Sequence, residues 1–232
     1  MIPLKDDVPS RTTPFVTVTL IALNVLAFLY KASLALDDSR GLAAVEAFVM
    51  EFGVTPCRLT ASCVAPGDFP PPAVTIFTSM FLHGDLFHLG GNMLYLWIFG
   101  NNVEDTLGHG RFTLFYLLCG VAAALGQTAV NPASRIPMIG ASGAVSGVLG
   151  AYLLLFPYAT VLTLVTFGFF IRFVHIPALI VLGLWIVLQF VYGWLSVSAG
   201  EQGGVAWFAH VGGFLAGMAL LFVLRRRASA RL

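Results

Sequence analysis

Six stretches of this chain are each apolar for long enough to form a helix across the roughly 30 Å hydrocarbon core of a bilayer. They run approximately Phe15–Leu34, Leu86–Val103, Phe112–Val130, Ser142–Tyr158, Pro177–Leu195 and Val205–Leu224. Nothing else constrains the fold as tightly, because backbone inside hydrocarbon must satisfy its own hydrogen bonds and a helix does so within one segment. Composition points the same way. Of 232 residues, 58% are hydrophobic and 10% charged, where soluble domains carry roughly 25% charged residues; mean hydropathy is +0.90. A net charge of +1 gives no reason to invoke nucleic acid. The expected fold class is an all-α membrane protein, a six-transmembrane-helix bundle with a long first extracytoplasmic loop.

Six crossings place both termini on one side. Lys5, Arg11, Arg111, Arg172, Arg225, Arg226, Arg227 and Arg231 fall on that side, and Lys31, Arg40, Arg58 and Arg135 on the other. The positive-inside rule then puts both termini in the cytoplasm. The first stretch has no strongly basic lead and no obvious cleavage site, so it is read as a retained helix. Residues 1–14 are expected to be a cytoplasmic tail too short to fold alone, 15–224 one transmembrane domain, and 225–232 a basic cytoplasmic tail acting as a stop-transfer flank. A multi-pass protein of a bacterial plasma membrane is the expectation.

Asp37 to Val74 is a long connection with a short helix expected over Leu42–Phe52 and a proline-rich run from Pro66 to Pro72. Ordered loops of this size usually serve a site. Cys57 and Cys63 both lie in it, where an oxidising compartment would permit a disulfide, although spacing alone does not establish one. Cys119 reads as a small packing residue. Ala159–Ile176 is apolar but contains Arg172 and His175, so it is either interfacial or an extension of a neighbouring helix.

Polar side chains capable of chemistry are costly in hydrocarbon and suggest function by default. Ser142 heads one apolar stretch, within Gly140-Ala141-Ser142-Gly143, and His210 sits within another. A serine hydroxyl is a weak nucleophile until a neighbouring base takes its proton, and an imidazole suits that work. Gly143 and Gly147 on one helix, with Gly213 and Gly217 on the other, provide small-xxx-small faces for a close approach. Neither stretch contains Asp or Glu, so a dyad is inferred and not a triad. His88 and Asn92, four apart on one helical face, are candidate oxyanion donors together with the Ser142 backbone N–H. The segment before Ser142, Asn131–Ile139, contains Pro132 and Pro137 and is non-helical in type; at membrane depth such backbone needs protein or a water-filled cavity around it.

Each element also has a plain structural reading: Gly-x-Ser-Gly as helix packing, an intramembrane His as a hydrogen-bonded support, His83 with His88 as metal ligands. A metal would need further ligands at matching depth, which the sequence lacks, so none is expected. The combination carries more. His83-Gly84-Asp85-Leu86-Phe87-His88-Leu89-Gly90-Gly91-Asn92, Gly100-Asn101-Asn102-Val103-Glu104-Asp105-Thr106-Leu107-Gly108, Gly140-Ala141-Ser142-Gly143 and Ala209-His210-Val211-Gly212-Gly213-Phe214-Leu215-Ala216-Gly217 follow one another in order. From about Phe77 to Gly217 the chain thereby resembles the rhomboid intramembrane serine proteases. The resemblance implies a rhomboid-like bundle with Ser142 as nucleophile, His210 as general base, and His88 and Asn92 lining the oxyanion hole.

It also implies transmembrane protein substrates within the lipid bilayer, cut near the extracytoplasmic face, with small residues before the cut and helix-weakening residues after it. No metal or organic cofactor is implied. Pro177–Leu195 would be a lateral gate and Ser196–Gly204 a cap, made permissive by Gly200, Gly203 and Gly204. The chain departs from the family pattern in three places. Val74 and Thr75 stand where many bacterial members have Trp-Arg, Ser146 where some carry an aromatic ring, and Glu104-Asp105-Thr106 where the family has Glu-x-Arg. Two other readings remain: a catalytically silent relative that binds membrane helices, and a small transporter. Intact Ser142 and His210 favour the enzyme, and no pair of related, interrupted halves favours a transporter. Oligomeric state is left open.

Overall fold

Helix α1, Phe15–Leu34, follows Pro14 and has no capping side chain of its own. The acceptor for its first turn comes from 88 residues further on. Glu104 accepts the Val16 N–H at 2.9 Å and the Thr17 N–H at 2.8 Å, and the Thr17 hydroxyl at 2.7 Å. A carboxylate at a helix N-terminus meets both the orphan donors and the positive end of the dipole. The oxygen that accepts from Val16 also lies 2.6 Å from His109 Nδ1, so a histidine meets this carboxylate in a chain that lacks the family's arginine.

In this computed structural model residues 1–36, 41–63, 70–167, 170–199 and 204–225 are described. Arg40, Pro66, Gly200, Gly203, Arg226, Arg227 and Arg231 lie outside them, and with them most of the basic run and the middle of the expected cap. After α1 come α2 (Gly41–Phe52), α3 (Pro56–Leu59) and α4 (Pro72–Thr78), the last running into a 3₁₀ turn at Ser79–Phe81. Cys57 and Cys63 are joined as a disulfide, Cα–Cα 5.3 Å. Val74 is exposed on α4, while Thr75 is buried and its hydroxyl donates to the Pro72 carbonyl at 2.6 Å.

The bundle is completed by α5 (Leu86–Leu107), α6 (His109–Val130), α7 (Ser142–Leu155), α8 (Ala178–Ser198) and α9 (Trp207–Leu224). Helices α1, α6, α8 and α9 are long and apolar enough to cross a membrane. Helix α5 is as long but carries Asn92, Asn101, Asn102, Glu104 and Asp105, and the side chains of the last four are hydrogen-bonded within the protein. With 14 residues, α7 spans about 21 Å, short of the roughly 30 Å hydrocarbon core. It can be short because it is central, with every residue from Gly143 to Tyr152 buried.

Helix α9 lies against α6 and α7 at backbone contact distance. A Cβ on Gly213 would land on the Gly143 carbonyl oxygen, one on Gly217 on that of Gly147, and one on Gly147 on the Cys119 thiol. Small residues replace the bulk that would otherwise hold the helices apart.

One part of the architecture was not expected. Residues 159–176, read as interfacial or as an extension of a neighbouring helix, do not extend a helix. Strands β2 (Thr160–Phe167) and β3 (Phe170–Pro177) form an antiparallel hairpin, and β1 (Ile2–Asp6), from the tail read as too short to fold alone, pairs antiparallel with β2. The order is β1-β2-β3, with Ile2 opposite Leu164 and Thr160 opposite Pro177. The physical reason lies in the run Thr160-Val161-Leu162-Thr163-Leu164-Val165-Thr166, rich in β-branched residues; Val161 and Thr163 point into the protein. The tail folds by borrowing a partner. Asp6 accepts from the Asn102 amide and the Tyr152 hydroxyl, each at 2.6 Å, and so ties the sheet to α5 and α7. Burial pushes the Asp6 carboxyl above the usual range.

Candidate active site

Ser142 is the first residue of α7, and the chain before it is fixed from several directions. The Cys57 N–H donates to the Ser134 carbonyl at 3.0 Å, Val54 and Met138 exchange backbone bonds at 3.1 and 2.8 Å, and the Gly140 N–H donates to the Ser79 carbonyl at 2.9 Å. The Ala141 N–H reaches the ring of the buried His83, 3.4 Å from Nε2. The His83 and Gly84 carbonyls are in turn held by the buried Lys31 Nζ, at 2.5 and 2.6 Å. At its helix N-terminus the Ser142 N–H has no acceptor within the helix. Gly140 has φ +124°, a conformation that favours glycine.

His210 is in the first turns of α9. The N-cap residue Ala206 offers no side-chain acceptor, and Gln127 of α6 supplies one: its Oε1 accepts the Phe208 N–H at 3.0 Å and the Ala209 N–H at 3.2 Å. His210 Nε2 and Ser142 Oγ are 2.8 Å apart. On the other side of the ring, Nδ1 lies 2.7 Å from Gln189 Oε1 of α8. Trp185 and Trp207 flank the imidazole, with ring centroids 5.8 and 6.3 Å away. The hydroxyl of Ser146, one turn beyond Ser142, donates back to the Ser142 carbonyl at 2.6 Å. Tryptophans and an amide occupy the surroundings that an aromatic at 146 would otherwise share.

His88 stands in the first turn of α5, where Asp85 caps the helix by accepting the His88 N–H at 2.9 Å. That backbone bond holds the Asp85 carboxyl below its ordinary range. The Gly84 N–H points at His88 Nδ1, 3.4 Å away, which assigns the ring proton to Nε2. A Cβ on Gly140 would sit 2.7 Å from that Nε2 and 3.6 Å from Ser142 Oγ, so the glycine keeps open the space beside both. Asn92, one turn further along α5, is buried, and its Nδ2 has no hydrogen-bond partner among the described residues. A buried donor left without an acceptor is costly and calls for an explanation.

Ser142, His210 and His88 line one cavity of about 580 Å³, with Asp85, Gln127, Asn131, Ser134 and Ser196 adding polar groups to its wall. Of the sequence-expected polar residues, Ser142, His210 and His88 share this recess, while Asn92, one turn along the His88 helix, is not among the residues that line it. Gln127, Gln189 and Lys31 were not expected here, and Gly140 and His83 were seen only as motif members, His83 also as a possible metal ligand, without these contacts. For the two glutamines a signal was present: each is a lone amide in an apolar helix, open to the same reasoning that singled out the serine and the histidine.

Helices packed through glycines around a short central helix, with a serine–histidine contact at its head, define a class of multi-pass membrane protein. A sequence model of the Rhomboid domain matches residues 71–227, and the chain belongs to the rhomboid family. It is 31% identical over 156 residues to Rhomboid protein 1, mitochondrial, of Saccharomyces cerevisiae, covering 65% of this chain and 42% of that protein. Over 140 residues it is 34% identical to Rhomboid protease GluP of Bacillus subtilis, covering 60% and 24%. Over 157 residues it is 32% identical to Rhomboid-like protein 11, chloroplastic, of Arabidopsis thaliana, covering 66% and 53%. The chain thus spans about a quarter to a half of the length of these curated relatives. Their names place them in different compartments, so the family itself does not select a bacterial plasma membrane.

Proposed function

We propose that this protein is an intramembrane serine endopeptidase that cleaves transmembrane segments of other membrane proteins near the extracytoplasmic face. The observation that carries the reading is the 2.8 Å contact between His210 Nε2 and Ser142 Oγ. His210 takes the hydroxyl proton as Oγ attacks the peptide carbonyl carbon, then gives it to the leaving amine; a water activated in the same way hydrolyses the acyl-enzyme. The His88 Nε2–H, the Asn92 amide and the Ser142 N–H are the donors for the oxygen that becomes negative. One such donor is worth about 10²–10³ in turnover, and the unpartnered Asn92 Nδ2 fits a group whose acceptor arrives with substrate.

Helix α8 is the gate. Of its 21 residues, Ala178, Val181, Leu182, Gln189 and Gly193 are buried and most of the others face outward, so little apolar contact opposes its displacement. The termini and the sheet lie at the cytoplasmic end in this reading.

The test uses purified protein in lipid vesicles and a single-span peptide with an Ala-Gly junction near one end of its apolar segment. Ser142→Ala is expected to abolish cleavage while the protein stays folded, and a labelled fluorophosphonate is expected to modify Ser142. Cleavage that persists in the purified variant defeats the proposal. Peptide binding without cleavage by the wild type would identify the silent, helix-binding relative instead.

A further inference from the structure

Four of the residues that α8 buries are small or apolar, and the fifth is Gln189, 8% exposed. An amide turned inward from a membrane helix is costly unless it is hydrogen-bonded, and its Oε1 lies 2.7 Å from His210 Nδ1. An amide oxygen has no proton to give, so the hydrogen in that contact is on Nδ1. A neutral imidazole protonated at Nδ1 presents the lone pair of Nε2 to Ser142 Oγ, and of the two neutral tautomers it alone can remove the serine proton. Trp185 and Trp207 restrict the ring but do not distinguish its nitrogens. Neither α7 nor α9 contains a carboxylate that could.

We propose that Gln189 is the positioning residue for His210: it sets the imidazole's tautomer and orientation, the part an aspartate plays in a triad, from a different helix and without a charge. This rests on the protease reading above. When Nε2 takes the proton, the Nδ1–H···O contact becomes a charge-assisted bond and tightens, so Gln189 acts on the step that follows substrate binding. The contact also joins the base to the gate helix, and the tautomer is held while α8 lies against α9.

The test compares wild type, Gln189→Met, Gln189→Glu and Ser142→Ala on the same Ala-Gly peptide in vesicles, with a thermal melt of each. Methionine keeps the length and removes the acceptor; glutamate keeps an acceptor. Gln189→Met is expected to lower kcat at least tenfold with KM within twofold of wild type. Gln189→Glu is expected to recover most of the loss and to move the acid limb of the kcat profile to higher pH, because a carboxylate at Nδ1 favours the imidazolium. His88, the other titratable group near His210, is unchanged in both variants. A kcat for Gln189→Met within twofold of wild type, or a Gln189→Glu no better than Gln189→Met, overturns the positioning role. A Ser142→Ala protein that cleaves as wild type overturns the protease reading itself.

Discussion

At Gly140 one absent carbon keeps the recess open. With φ +124° and His88 Nε2 2.7 Å from where a Cβ would stand, alanine there meets both backbone strain and a displaced imidazole. Strain of this kind costs on the order of 1–3 kcal/mol. Gly140→Ala is therefore expected to lower kcat about tenfold or more while the melting temperature falls only slightly, measured on the same peptide; unchanged kcat would show that neither the backbone nor His88 matters there. The glycine was visible as part of a motif, but its reason was not, because a φ angle and a neighbour 52 residues earlier in the chain are properties of the folded backbone. Ser142 and His210 were legible for the opposite reason. Each is an uncommon polar group in an apolar stretch, and that rarity is written in the sequence.

At the scale of elements, the membrane helices were readable to within a few residues because their period and length follow from the bilayer. The hairpin at 160–177 was not, since short apolar runs satisfy a helix and a strand equally well until a pairing partner is known. One of the two partners of β2 is the N-terminal strand, more than 150 residues away in the chain. The segment carrying Cys57 and Cys63 is a second case. Besides the disulfide, α3 offers the Cys57 N–H to the Ser134 carbonyl and the Thr60 hydroxyl to the Pro132 carbonyl at 3.0 Å, so it braces the loop that leads to Ser142. Closing so short a loop stabilises by about 2 kcal/mol on chain-entropy grounds. Replacing both cysteines by serine is expected to lower the melting temperature by a few degrees and to remove its sensitivity to reductant. A wild-type melt indifferent to reductant would contradict a stabilising bond.

Over the whole molecule, His83 links α1, the approach to α5 and the residue before Ser142. Burial, with the nearby His88 adding to it, pushes its pKa from 6.5 down to about 4. A depressed histidine favours the folded state only while neutral. Its contribution is therefore complete above about pH 6.5 and is lost as pH falls from there towards 4. The melting temperature is expected to drop between pH 7 and 4.5, and to drop less in His83→Gln, which keeps an acceptor but does not titrate; equal drops would remove His83 as the cause. The sequence by itself determined that this chain is a bundle of membrane helices and which serine and histidine to consider, because hydrocarbon imposes length and apolarity on every span and makes exceptions conspicuous. Tertiary structure alone decided what surrounds them: the glutamines that cap α9 and face the imidazole, the lysine that holds the His83 carbonyl, and the sheet that joins the N-terminal strand to a hairpin more than 150 residues later. Those contacts join groups far apart in sequence, and a local pattern carries no information about which distant partner will satisfy a buried donor or acceptor.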